Sequence, residues 1–84
     1  MHRHIRLENA GEFDIFIGLN ERREIDNLRI SGDFFAVVDI ENKLINPLKR
    51  IEYSFSSLSA AISSLDPSSV IRGLDRESLL TLLI

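Results

Sequence analysis

The sequence predicts an α+β fold, with a small antiparallel sheet of two to three strands followed by two to three helices packed on one face. Three observations carry this. Apolar residues alternate with polar ones from Glu12 to Leu19, which is the period of a half-buried strand. Beyond Asp39 the apolar spacing changes to three and four, the period of amphipathic helices. The two patterns are segregated along the chain, strands first and helices after, which is the order of a two-layer domain. The chain has 84 residues, no internal repeat and no composition boundary, so residues 1–84 are expected to form a single domain. A domain this small buries only about 60–65% of the surface its unfolded chain exposes, so a partner would add needed burial.

The elements follow in order. Residues 3–8 form a short strand, and Asn9-Ala10-Gly11 is a turn signal. In the next strand Phe13, Ile15, Ile17 and Leu19 point one way, and Glu12, Asp14, Phe16 and Gly18 the other. Asn20-Glu21-Arg22-Arg23 is a polar hairpin loop. Leu28 and Ile30 share one face of the following strand. Ile25 is out of phase with them, which calls for a bulge or a strand that starts after Asp26. Ser31-Gly32-Asp33 is expected to end that strand in a turn, because glycine permits backbone angles other residues resist.

The dense apolar run Phe34-Phe35-Ala36-Val37-Val38 leads to Asp39, which is suited to cap a helix N-terminus. Ile40, Leu44 and Leu48 form one stripe of that helix, with Ile51 a turn beyond. Pro47 predicts a kink or a break within it. Residues 54–69 hold eight serines, a composition typical of a linker. Phe55, Leu58, Ile62 and Leu65 nevertheless make one apolar helical face, with serines on the other face and at the caps, and Asp66-Pro67 ends the helix. Val70 and Ile71 form a short link to Gly73. Asp75 caps a last helix, with Glu77 in its first turn suited to the positive end of the dipole. Leu79, Leu80, Leu82, Leu83 and Ile84 cannot all face one side of that helix. Either this end is deeply buried, or part of it waits for a partner.

Composition narrows the chemistry. With no cysteine, disulfides, thiolate nucleophiles and cysteine-ligated metals drop out. The net charge is −3, and neither half is basic enough to neutralise a run of phosphates, so nucleic acid is not an expected partner. No apolar run approaches the ~20 residues of a membrane helix. The segment Met1-His2-Arg3-His4-Ile5-Arg6 has no apolar core behind it, so it is not a secretory signal, and the expected location is cytoplasmic.

No phosphate-cradling glycine loop or serine nucleophile elbow occurs. His2 and His4 lie on one face of an extended segment, but the sequence fixes no third ligand beside them, and metal sites need more than two. Asp33 and Asp39 read as a turn residue and a helix cap rather than a carboxylate pair. Lys43 and Lys49 both fall in the first helix, not at the hairpin tip where a swinging-arm carrier displays its lysine. No catalytic, cofactor-binding or metal residues are assigned. What remains is surface: Phe34 and Phe35 are adjacent, so in an extended segment they face opposite ways, and Phe16 lies on the polar face of its strand.

The stretch Ile25-x-x-Leu28-x-Ile30-x-Gly32-Asp33-Phe34-Phe35 resembles the signature of the C-terminal, or accessory, domain of lipoate-protein ligases. Asp39-Ile40-Glu41 with Leu44 and Leu48 is similar to the acidic-capped helix that follows it. Ile71-Arg72-Gly73-Leu74-Asp75-Arg76-Glu77-Ser78-Leu79-Leu80 is similar to the closing helix. The resemblance covers about residues 9–84 and departs from the family at Pro47 and in the serine-rich second helix. A chain that begins at Met1 and holds only this domain resembles the separately made form.

That resemblance implies a non-catalytic accessory subunit in a heterodimer. A large catalytic subunit binds ATP, magnesium and lipoate, makes lipoyl-AMP and passes the lipoyl group to a lysine of a carrier protein. The small subunit binds the large one, is needed for the adenylation step, and itself binds no cofactor. It implies interface or interface-supporting roles for Phe34 and Phe35, a turn at Gly32, a turn or cross-subunit hydrogen bond at Asp33, and a contact from Arg29 to the partner. Two other readings compete. One is a free-standing scaffold module of similar fold in sulfur or cofactor delivery; the other is a small metal-binding protein using His2 and His4.

Overall fold

A computed structural model of the chain describes residues 1–84. Strands β1 (His2–Leu7), β2 (Gly11–Leu19) and β3 (Ile25–Phe34) form an antiparallel sheet in the order β1-β2-β3. The period-two reading of β2 holds: Phe13, Ile15 and Ile17 are buried, while Phe16 on the opposite face is exposed. The bulge expected near Ile25 is present. Gly18 pairs with Asn27 and Leu19 with Ile25, so Asp26 is the extra residue that returns Ile25 to the apolar face.

The expected turn at Ser31-Gly32-Asp33 is absent, because β3 runs straight through it to Phe34. The reason lies across the strand pair. Phe13 pairs with Gly32 and Phe34 with Gly11. Gly32 has φ +134° and Gly11 φ +125°, and a Cβ would lie 2.3 Å from the Glu12 carbonyl oxygen at Gly32 and 2.1 Å from that of Asp33 at Gly11. Only glycine fits either position. The space left by the two glycines lets the Phe13 and Phe34 rings stack, with centroids 4.9 Å apart and planes at 9°. The Gly-Asp pair resembles a turn signal locally, but the close approach of β2 is what requires the glycine.

Phe35–Val37 stay extended and pair with residues 70–72. Val37 N–H donates to the Val70 carbonyl (2.7 Å), Arg72 N–H donates to the Phe35 carbonyl (3.0 Å), and Ala36 is bridged to Ile71. Asp39 then caps as expected, its carboxylate accepting the Glu41 N–H at 3.0 Å. A π-helical turn over Glu41–Ile45 runs directly into α1 (Asn46–Leu48). The helix therefore does not break at Asn46, but its hydrogen-bonding pattern changes from α to π just ahead of Pro47. Pro47 has no N–H to give and crowds the carbonyl four residues back, and the wider π turn, in which Asn46 N–H bonds to the Glu41 carbonyl, absorbs both effects. The helix ends at Lys49, one residue after Leu48. Leu44 and Leu48 are buried as the stripe predicts.

Helix α2 (Phe55–Ser63) is capped by Ser54, whose hydroxyl accepts the Ser57 N–H at 3.2 Å. Leu58 and Ile62 are buried, but Phe55 is 63% exposed, contrary to the expected apolar face. It occupies the first helical position, one turn before Leu58. The helix also stops at Ser63, before Asp66-Pro67. Helix α3 (Arg76–Leu83) is capped by Asp75, which accepts the Ser78 N–H at 2.8 Å.

The crowded chain end is resolved by burial. Leu79, Leu82 and Leu83 are fully enclosed, each stabilising the fold by about 2 kcal/mol, and Tyr53 donates its hydroxyl to the Leu83 carbonyl at 2.6 Å. Only Ile84 is left exposed and Leu80 half-buried. Seventeen side chains from the inner sheet face, the helices and the 70–74 link form one buried cluster. No helix is long and apolar enough to cross a membrane.

Candidate protein-binding surface

The helices cover one sheet face and leave the other bare. On that bare face the register sets residues in rows across the strands. One row is His2, Phe16 and Arg29: the His2 imidazole stacks on Phe16 (4.4 Å, 10°), and the Arg29 guanidinium lies 5.6 Å from the centre of the same ring. This absorbs the odd aromatic on the polar side of β2. Arg29 is exposed, but its guanidinium is already seated on an aromatic ring of its own chain.

The next row holds a small hydrogen-bonded cluster. His2 Nε2 lies 3.0 Å and His4 Nδ1 2.9 Å from the same Asp14 carboxylate oxygen, and Glu12 lies 4.0 Å from His4. The hydrogen bond and negative charge of Asp14 raise the His4 pKa above its ordinary value. In return, the bonds from His4 and then His2 lower that of Asp14. No group of three or more potential ligands is placed to hold a metal ion.

The five residues the resemblance singled out separate. Gly32 belongs to the Phe13–Phe34 corner, as does Phe34, which is half-buried against Phe13. Asp33 is exposed in β3, paired across the strands with Glu12, and makes no turn. Phe35 is the one that leaves the fold: it is 63% exposed, with the Arg72 guanidinium 5.9 Å from its ring centre. It does not stand alone. Val37 is 56% and Val38 45% exposed, so the segment presents an apolar ridge.

The antiparallel pairing with 70–72 holds that ridge out and keeps it from folding onto the core. Sequence reasoning identified the apolar run but did not assign Val37 and Val38. The available signal was that successive side chains of an extended segment face opposite ways, so burying all five would need cover on both faces. Beside the ridge lies a groove of about 530 Å³ between Asn27–Ile30 of β3 and residues 36–41. Its lining is mainly apolar, with Arg29, Asp39 and Glu41 among the lining residues. A smaller apolar patch, from Phe55, Leu80 and Ile84, lies near Arg3 and Glu77.

Exposed aromatic and β-branched side chains on a hydrogen-bonded, rigid segment are suited to bind another protein surface, because little conformational freedom is lost when they are covered. Compared with known proteins, the sequence matches the model of one family, described as bacterial lipoate protein ligase C-terminus, over residues 1–83. No curated protein matches the chain.

Proposed function

We propose that this chain, which belongs to the bacterial lipoate protein ligase C-terminus family, acts as a non-catalytic accessory subunit of such a ligase. The family is the C-terminal domain of these enzymes and not their catalytic domain. In this reading the chain binds the catalytic subunit in the cytoplasm. That subunit holds ATP, magnesium and lipoate, and its activation of lipoate to lipoyl-AMP needs the complex. The carrier protein that receives the lipoyl group is met only through the catalytic subunit.

The observation that supports this reading is the Phe35–Val38 ridge, an apolar surface held away from the core in a chain of this family. A lipoyl-adenylate is a mixed anhydride open to hydrolysis. A small rigid subunit contributes by ordering the loops around it and excluding water, with no acid, base or nucleophile of its own. The ridge supplies the apolar contact, and Phe34 supports it from beneath by fixing the end of β3. Arg29 and Asp33 stand on the neighbouring sheet face within reach of a bound partner.

The test is lipoyl-adenylate formation by a bacterial ligase catalytic chain lacking its own C-terminal domain, measured with and without this chain. Activity that appears only in the mixture, and is lost with Phe35→Glu, supports the role. Unchanged activity together with no complex on gel filtration overturns it. Binding without any effect on adenylation would favour a scaffold role instead.

A further inference from the structure

The last six residues hold five apolar side chains, and α3 encloses only some of them. Leu79, Leu82 and Leu83 enter the core, which leaves a second face of the helix with Glu77, Leu80, Thr81 and Ile84 at spacings of three and four. Ile84 is 41% exposed, and Phe55, from the start of α2, is 63% exposed. Together with Arg3 of β1, these residues line one hollow of about 440 Å³. The hollow shares no residue with the Phe35–Val38 ridge or with the groove beside it.

The hollow carries one charge of each sign, and α3 sets them at opposite ends of its exposed stripe. Glu77 lies in the first turn. Its carboxylate enters none of the ion pairs of the chain, all of which involve His2 or His4. Arg3 is held at the last turn by one long hydrogen bond, its Nη2 donating to the Thr81 carbonyl at 3.4 Å. A guanidinium has five N–H donors in a planar fork, so most of that fork is unused. A strongly acidic or strongly basic partner would meet repulsion at one end of the stripe. A surface with an apolar centre and opposite charges at its two ends is instead complementary to itself when turned through 180°. In two copies of α3 laid antiparallel, the first turn of one helix faces the last turn of the other. Glu77 of each copy then meets Arg3 of the other, and Phe55, Leu80 and Ile84 of both fill the space between.

We propose that this face of α3 is a contact between two copies of the chain, with the helices antiparallel about a two-fold axis near Leu80. The inference goes beyond the accessory-subunit reading and does not rest on it, because the pair leaves the Phe35–Val38 ridge of each copy uncovered. Three apolar side chains from each copy make a contact smaller than the ~1,200 Å² of a stable interface, so the pair is weak and exchanges with the monomer.

Sedimentation equilibrium of the full chain, from micromolar to millimolar concentration, tests this. A monomer–dimer equilibrium is expected. Phe55→Ser, Arg3→Glu and Glu77→Arg should each weaken it about tenfold, because the two-fold axis applies every change twice. Phe55→Ser and Glu77→Arg alter exposed residues and carry the test even if Arg3→Glu unfolds, which circular dichroism would show. The sharpest sample is an equimolar mixture of the Arg3→Glu chain with the Glu77→Arg chain. Each variant alone sets like charges against each other across the axis, whereas in the mixed pair both contacts join opposite charges. The dimer should recover in the mixture, a result that damage within either chain would not produce. A chain that stays monomeric to millimolar concentration overturns the proposal, as does a mixture of folded variants no more associated than its components. A dimer abolished by Phe35→Glu and indifferent to the α3 variants belongs to the ridge and also overturns it. If Phe55→Ser weakens binding to a ligase catalytic chain while this chain alone stays monomeric, the face belongs to that ligase and the proposed occupant is wrong.

Discussion

Phe34 and Phe35 are neighbours in the chain and belong to different regions of the molecule. Phe34 closes a corner with Phe13, Gly11 and Gly32, where two glycines make room for two stacked rings. Phe35 begins a ridge with Val37 and Val38 that the fold holds in solvent. The corner is a device of stability and the ridge a device of binding. The boundary between them is a single peptide bond, because an extended backbone sends successive side chains to opposite faces. Aromatic content alone does not reveal which role a residue has.

The difference makes ordered predictions. Gly32→Ala should be the most damaging, since it combines a positive φ with a Cβ 2.3 Å from a backbone oxygen that cannot move aside. A loss of about 3 kcal/mol in urea unfolding is expected. A loss under about 1 kcal/mol would mean that the corner relaxes easily and the contrast is overdrawn. Phe34→Ala removes a half-buried stacked ring and should cost about 2 kcal/mol by the same measurement.

Phe35→Glu should leave stability within about 0.5 kcal/mol and abolish the gain in lipoyl-adenylate formation. If it unfolds the protein instead, the ridge is part of the core and the division fails.

The smallest effect belongs to the bare sheet face. His4 has a pKa raised above 6.5 by Asp14, so its contribution to stability is complete below that value and fades as pH rises through the folded pKa. Asp14 has a pKa lowered below 3.8, so its contribution is present above that value and is lost as pH falls through the folded pKa. Both act between 3.8 and 6.5. Solvent screening at this open face keeps the change in unfolding midpoint slight. An NMR titration of His4 should show the raised pKa and its return towards 6.5 in Asp14→Asn. A His4 titration unmoved by that substitution would show that the two groups are not coupled in solution.

Much of the fold was legible because its signals are local. Alternation along β2 identified the buried face of the sheet. The out-of-phase Ile25 announced the bulge at Asp26, and Asp39 and Asp75 lie where first-turn N–H groups need an acceptor. The candidate surface was legible only in part. The apolar run from Phe34 to Val38 stands out in the sequence, and its two aromatics are assigned interface or interface-supporting roles, but spacing does not say which is which and does not single out the two valines. Phe55 fits a helical stripe by spacing, yet nothing in the spacing says that the first residue of the stripe stays in solvent.

The sequence by itself determined the order of strands and helices, which face of each is apolar, and where helices begin, because periodicity and capping depend on residues within one turn or one strand. Tertiary structure alone decided that Gly32 lies within a strand, since the need for glycine comes from the Glu12 carbonyl across the ladder. It alone decided that a π turn makes room for Pro47 and that the C-terminal leucines are enclosed. Each of those depends on how closely segments distant in the chain approach one another, and the spacing of residues along one segment carries no measure of that distance.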